Sequence, residues 1–165
     1  MMYMIIILII AIIMIFNYLI NLKNKVKRSK SLIDVYLQKR FDLIPNLVEV
    51  VKKYGEYEQE TLRKVVSLKE EFGTKKDLNI ANEINNQIDI LIGRIEGYPS
   101  IKADEQYKIL QKNLVKIEDE LQASRRIYNI DVTKYNTKIA QFPNNLVANI
   151  LNFKEEELFE AKVDD

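Results

Sequence analysis

Residues 104–140 read DEQYKILQKNLVKIEDELQASRRIYNIDVTKYNTKIA, and their spacing decides the fold. Tyr107, Leu110, Leu114, Ile117, Leu121 and Ser124 step by 3, 4, 3, 4 and 3, the spacing of a seam between packed helices. The seam continues as Tyr128, Val132, Tyr135 and Ile139, where two successive steps of four form a stutter that locally unwinds a supercoil without ending it. This stretch predicts the longest helix of the chain. A helix of its 37 residues would be about 55 Å long, which suggests a rod or stalk.

The neighbouring segments carry the same period. Leu47, Val48, Val51, Tyr54, Thr61, Leu62, Val65 and Leu68 mark one apolar face, and Ile80, Ile84, Ile88, Leu91 and Ile95 another. No segment after residue 22 alternates with period two. Four glycines and three prolines are too few for a sheet-rich domain with many tight turns. Asp77 is placed to cap a helix running to about Glu96, and Asp104 or Ser100 to cap the next. Pro143, at a first-turn position, opens a final helix to about Glu160. Pro45 either opens a helix or kinks a continuous one, because its ring opposes the carbonyl of Phe41. Each one-sided helix needs partners, so residues 31–165 are expected to form an all-α, antiparallel bundle of about four long helices.

Before that bundle lies a different kind of helix. Met1 to Phe16 is an unbroken apolar run, and Asn17 alone interrupts it before Tyr18, Leu19 and Ile20. Twenty helical residues span about 30 Å, the thickness of a bilayer's hydrocarbon core. Residues 1–22 are therefore expected to form an uncleaved transmembrane helix, because the charged n-region and small-residue cleavage site of a signal peptide are missing. Lys23, Lys25, Lys27, Arg28 and Lys30 follow within eight residues, as a basic juxtamembrane segment at 23–30. Basic residues beside a membrane helix stay on the cytoplasmic side, which puts the N-terminus outside and the C-terminal part in the cytoplasm. The whole chain of 165 residues has 25 basic and 24 acidic groups, a net charge of +1 and a mean hydropathy of −0.19. Those averages conceal a basic collar of +5 and a bundle of −4.

Composition excludes much chemistry. With no cysteine and no histidine there is no disulfide, thiolate nucleophile, serine–histidine relay or zinc site of the usual nitrogen or sulfur ligands. The carboxylate groups Glu56/Glu58/Glu60, Glu70/Glu71, Glu118/Asp119/Glu120 and Glu155/Glu156/Glu157 interleave with lysines as a solvated helix face does. The glycines stand alone, so no phosphate loop exists. The bundle's negative balance argues against a nucleic-acid partner. The expectation is a non-enzyme with no cofactor, no metal and no small-molecule substrate. Its partners would be the lipid bilayer and a protein, another copy of itself included.

One stretch is less bland. Tyr128-Asn129 and Tyr135-Asn136 are two Tyr–Asn pairs seven residues apart, hence on one helix face, just after Arg125-Arg126. Their donors and acceptors could set register across a helix interface. At these residues the chain resembles the LemA family of bacterial membrane proteins. The resemblance rests on three blocks in the family's order. They are Asp34–Val48, with Arg40, Asp42, Pro45 and Asn46; Glu96–Ala103; and Arg125 through Tyr128, Asn129, Tyr135 and Asn136 to Pro143 and Phe153. Where such proteins often carry His-Glu, this chain has Tyr57-Glu58. The resemblance implies a membrane helix in the bacterial cell membrane, a cytoplasmic antiparallel bundle and no catalytic residues. It points to a scaffold or interaction role, with regulation of a membrane protease as the alternative.

Overall fold

The computed structural model describes residues 1–53, 59–75, 78–95 and 97–159. Seven helices lie among the described residues, and no strand: α1 (Met2–Phe41), α2 (Ile44–Lys52), α3 (Gln59–Lys75), α4 (Leu78–Ile95), α5 (Pro99–Ala103), α6 (Glu105–Ala140) and α7 (Asn144–Ile150). The protein is all-α: four helices are long and three are short. The longest is α1, 40 residues against 36 for α6, because the apolar N-terminal run continues through the basic segment without a breaker. The expected cap Asp77, the carboxylates Glu56 and Glu58 and the departure at Tyr57-Glu58 lie outside the described residues, as do Tyr54, Glu96 and Glu160. The face predicted from Leu47 to Leu68 is divided between α2 and α3.

The chain forms two compact units. The first joins Met1–Asp34 to Gln122–Asp165. Leu19, Leu22, Val26, Ser29 and Ile33 are its buried stripe on α1, and Ser124, Tyr128, Val132, Tyr135 and Ile139 its stripe on α6. Ser29 lies in an apolar row at no cost in unmet polarity, since its hydroxyl donates back to the carbonyls of Lys25 (3.0 Å) and Val26 (3.1 Å). Lys23, Lys25, Lys27, Arg28 and Lys30 are all exposed on the faces left over. From Met1 to Met14 every side chain of α1 is exposed. The helix is long and apolar enough to cross a membrane, and its exposure separates it from the core helix of a water-soluble fold.

The second unit, Val35–Leu121, holds the end of α1, helices α2 to α5 and the start of α6. Helices α3 and α4 pack against each other and bury Leu62, Val65 and Phe72 from one side, and Ala81, Ile84, Ile88, Leu91 and Ile95 from the other. Phe41 meets Phe72 edge to face, with ring centroids 4.9 Å apart at 88°. Pro45 opens α2: the chain breaks for two residues after Phe41, Leu43 keeps right-handed helical angles, and the proline sits in the first turn, where its missing N–H costs nothing. Asp104 caps α6, its carboxylate accepting from the amides of Gln106 (2.7 Å) and Tyr107 (3.1 Å). Of the ten seam positions on α6 nine are buried, and Ile117 is half-buried.

One boundary differs from the sequence reading. The helix after Pro143 ends at Ile150, not near Glu160. Asn152 takes a left-handed φ of 54°. The amide of Phe153 then reaches the carbonyl of Ala148 (2.9 Å), and that of Asn152 reaches Asn149 (3.3 Å). These paired bonds are a Schellman stop, for which asparagine is the usual substitute for glycine. Beyond it residues 153–159 form neither helix nor strand, and their hydrogen bonds to α6 are spaced as an extended chain would place them.

Candidate functional site

The extended segment is held by the two Tyr–Asn pairs. Asn136 donates to the carbonyl of Glu156 (2.8 Å) and accepts from its amide (3.0 Å). Asn129 treats Phe159 the same way, at 3.1 and 2.8 Å. Tyr135 donates to the carbonyl of Lys154 (3.0 Å) and Tyr128 to that of Glu157 (2.9 Å). All six bonds go to main-chain atoms, so the Tyr–Asn pairs hold backbone.

The geometry follows from two repeat lengths. Seven residues of α-helix rise about 10.5 Å, and three residues of extended chain cover about 10 Å. Stepping from Asn129 to Asn136 therefore matches stepping back from Phe159 to Glu156, and Tyr128 to Tyr135 matches Glu157 to Lys154. The strap runs antiparallel to α6. The Tyr–Asn pairs, expected to face a second helix, bond instead to this strap.

Aromatic contacts finish the clamp. Arg125 stacks its guanidinium over Phe159, 4.7 Å from the ring centroid, and Phe153 meets Phe16 edge-on at 6.2 Å with the Lys23 ammonium 5.8 Å from its ring. Burial pushes the phenols of Tyr128 and Tyr135 above the ordinary tyrosine range. The Glu156 carboxylate adds to both shifts and Glu157 to that of Tyr128, because a phenolate beside them would meet like charge.

A second cluster lies in the Val35–Leu121 unit. Arg40 is 6% exposed, donates to Asp89 at 2.7 Å and also pairs with Glu118. One guanidinium thus ties α1 to α4 and α6 through its two forks. Loss of hydration raises the Asp89 carboxyl; Arg40 opposes that shift and Glu118 reinforces it. Glu118 is half-buried and paired, a correction to its reading as part of a solvated face, because Arg40 arrives from another helix where α6 spacing cannot show it. Asp42 accepts from Gln38 (3.0 Å) and pairs with Lys69 (3.4 Å), while Asn46 stands exposed on α2. Pro143 immediately precedes α7. The candidate residues therefore do not form one cluster: Arg125 and the Tyr–Asn pairs contact the strap, while Arg40 pairs with Asp89 and Glu118 and Asp42 with Gln38 and Lys69.

Among the described residues no three carboxylates come together to hold a metal ion. What periodicity missed is the strap's share in the clamp and the acidic partners of Arg40. Asn152 was the available signal, hidden in a sequence where Ile, Asn and Lys make up 58 of 165 residues.

Comparison with known proteins finds relatives over most of the chain. The chain is 29% identical over 150 residues to Protein LemA of Metamycoplasma hominis, covering 88% of this chain and 68% of that protein. It is 33% identical over 90 residues to Magnetosome protein MamQ 2 of Paramagnetospirillum magneticum. It is also 31% identical over 77 residues to Magnetosome protein MamQ of Magnetospirillum gryphiswaldense. Those matches cover 54% and 47% of this chain, and 33% and 28% of the MamQ proteins' own length. None of these names denotes a catalytic activity. The sequence model of the LemA family matches residues 29–165, which include Arg40 and both Tyr–Asn pairs, and the chain belongs to that family.

Proposed function

We propose that the chain is a non-enzymatic, single-pass membrane protein whose helical part is an interaction scaffold in the bacterial cytoplasm. The observation that carries this reading is the Tyr–Asn clamp, a helix face built to hold polypeptide backbone rather than to transform a small molecule. The exposed apolar length of α1 supports the anchor. The basic collar supports the orientation, N-terminus outside, since lysine and arginine resist translocation. An uncleaved helix is favoured because removal near residue 22 would cut α1 beside the buried Leu19 and Val26.

The test is the size of the detergent-extracted protein together with crosslinking in cells. Oligomers or a defined crosslinked partner are expected, and a strict monomer that crosslinks to nothing overturns the reading. A reporter fused after Asp165 should be active in the cytoplasm only. Altered substrate turnover by a membrane protease on deletion of the gene would instead favour a regulatory subunit.

A further inference from the structure

The segment after α6 exposes apolar side chains that an aqueous surface would not favour. Phe142 is 79% exposed and Ile150 82%, with Leu146 and Leu151 also open. α7 also faces the N-terminal half of α1. Leu8, Ala11, Ile12 and Ile15 line an open apolar cavity of about 440 Å³ with Val147 and with parts of Leu146, Ile150 and Leu151 themselves.

Its height along α1 is fixed by neighbouring contacts. Phe153 sits between Lys23 and Phe16, and α7 lies beyond it against residues 8–15. At 1.5 Å per residue those residues are about 12–22 Å from Lys23, on the apolar side of the basic collar. Any bilayer that α1 crosses with Lys23 at its headgroups also contains α7.

We propose that residues 142–151 form a second membrane-embedded element, lodged beside α1 with lipid acyl chains covering Phe142, Leu146 and Ile150 and entering the cavity between the two helices. This rests on α1 spanning the membrane. The main chain of the segment suits such a place. Asn145 donates to Gln141, Leu146 to Pro143 and Leu151 to Val147, and the Schellman bonds satisfy the carbonyls of Ala148 and Asn149. Backbone inserted in lipid must meet its own polar groups in this way. The apolar lining that Leu146, Val147, Ile150 and Leu151 share with the exposed apolar length of α1, itself assigned to lipid, favours lipid as the cover over a water-soluble partner, although Asn149 and Asn152 are exposed beside it.

The absence of native cysteine makes the test direct. Full-length Phe142→Cys, Ile150→Cys, Ile9→Cys and Lys112→Cys are exposed to a membrane-impermeant maleimide in membranes opened to both faces. Phe142→Cys and Ile150→Cys should label about tenfold more slowly than Lys112→Cys, and like Ile9→Cys. Fast labelling at 142 and 150 with Ile9→Cys protected overturns the proposal and leaves the α1 span intact, whereas fast labelling of Ile9→Cys overturns both. Ile150→Trp, the sole tryptophan in the chain, should be quenched by brominated acyl chains. Protection without quenching overturns the proposal in favour of a protein cover.

Discussion

Asn136 holds both main-chain groups of Glu156, accepting from its amide at 3.0 Å and donating to its carbonyl at 2.8 Å, across 20 residues of sequence. A carboxamide is the side chain that can do both with one planar group. The same arrangement at Asn129 and Phe159 turns an otherwise unpaired length of chain into one with satisfied backbone.

Replacing Asn136 with leucine removes both bonds at similar volume. The expected loss is about 1–3 kcal/mol of unfolding free energy. Amide exchange at Glu156 should accelerate strongly while that of the buried α4 residue Ile88 stays slow. Unchanged exchange at Glu156 would mean that the clamp is not what holds the strap.

The clamp should open in alkali. The folded pKa values of Tyr128 and Tyr135 lie above the unfolded value, so their stabilisation is complete below the ordinary tyrosine range and is lost as pH rises through the folded values. Neutral phenols donate to the strap; phenolates cannot, and they repel Glu156. Phenolate absorbance should show a delayed fraction among the nine tyrosines that shrinks in Tyr128→Phe/Tyr135→Phe. The larger change, Tyr128→Ala/Tyr135→Ala, should lower the melting temperature and disrupt assembly, since it also hollows the seam.

Arg40→Met keeps the bulk and deletes the charge that holds Asp89 and Glu118 together. Breaking a buried pair costs several kcal/mol, and because both carboxylates keep contact with solvent we expect about 3 kcal/mol. Arg40→Lys should recover part of this, since an ammonium lacks the two-pronged fork. Thermal unfolding of the three proteins should rank wild type above lysine above methionine.

Asn152→Gly should match or exceed the wild type in stability, and Asn152→Val should fall below it by about 1–2 kcal/mol, because a β-branched residue resists a φ of 54°. In Asn152→Val the strap should also undock, seen as faster exchange at Glu156. Equal melting of the two variants would show that the stop at α7 has another origin.

Local periodicity determined the apolar faces of the long helices, because burying a one-sided helix requires apolar residues at its own repeat. The seam from Tyr107 to Ile139 was legible for that reason, the cap at Asp104 from its side-chain chemistry, and the start of α1 from its unbroken apolar run. The Tyr–Asn pairs stood out because seven residues return to the same face. What only the tertiary structure decided is what that face holds. Backbone amides and carbonyls carry no sequence signature, so nothing in Lys154–Phe159 marks it as an extended strap. The partners of Arg40 were hidden likewise, for Asp89 and Glu118 lie 49 and 78 residues away on other helices. Spacing within one helix reports its own faces; pairing between distant segments is decided by how the helices pack.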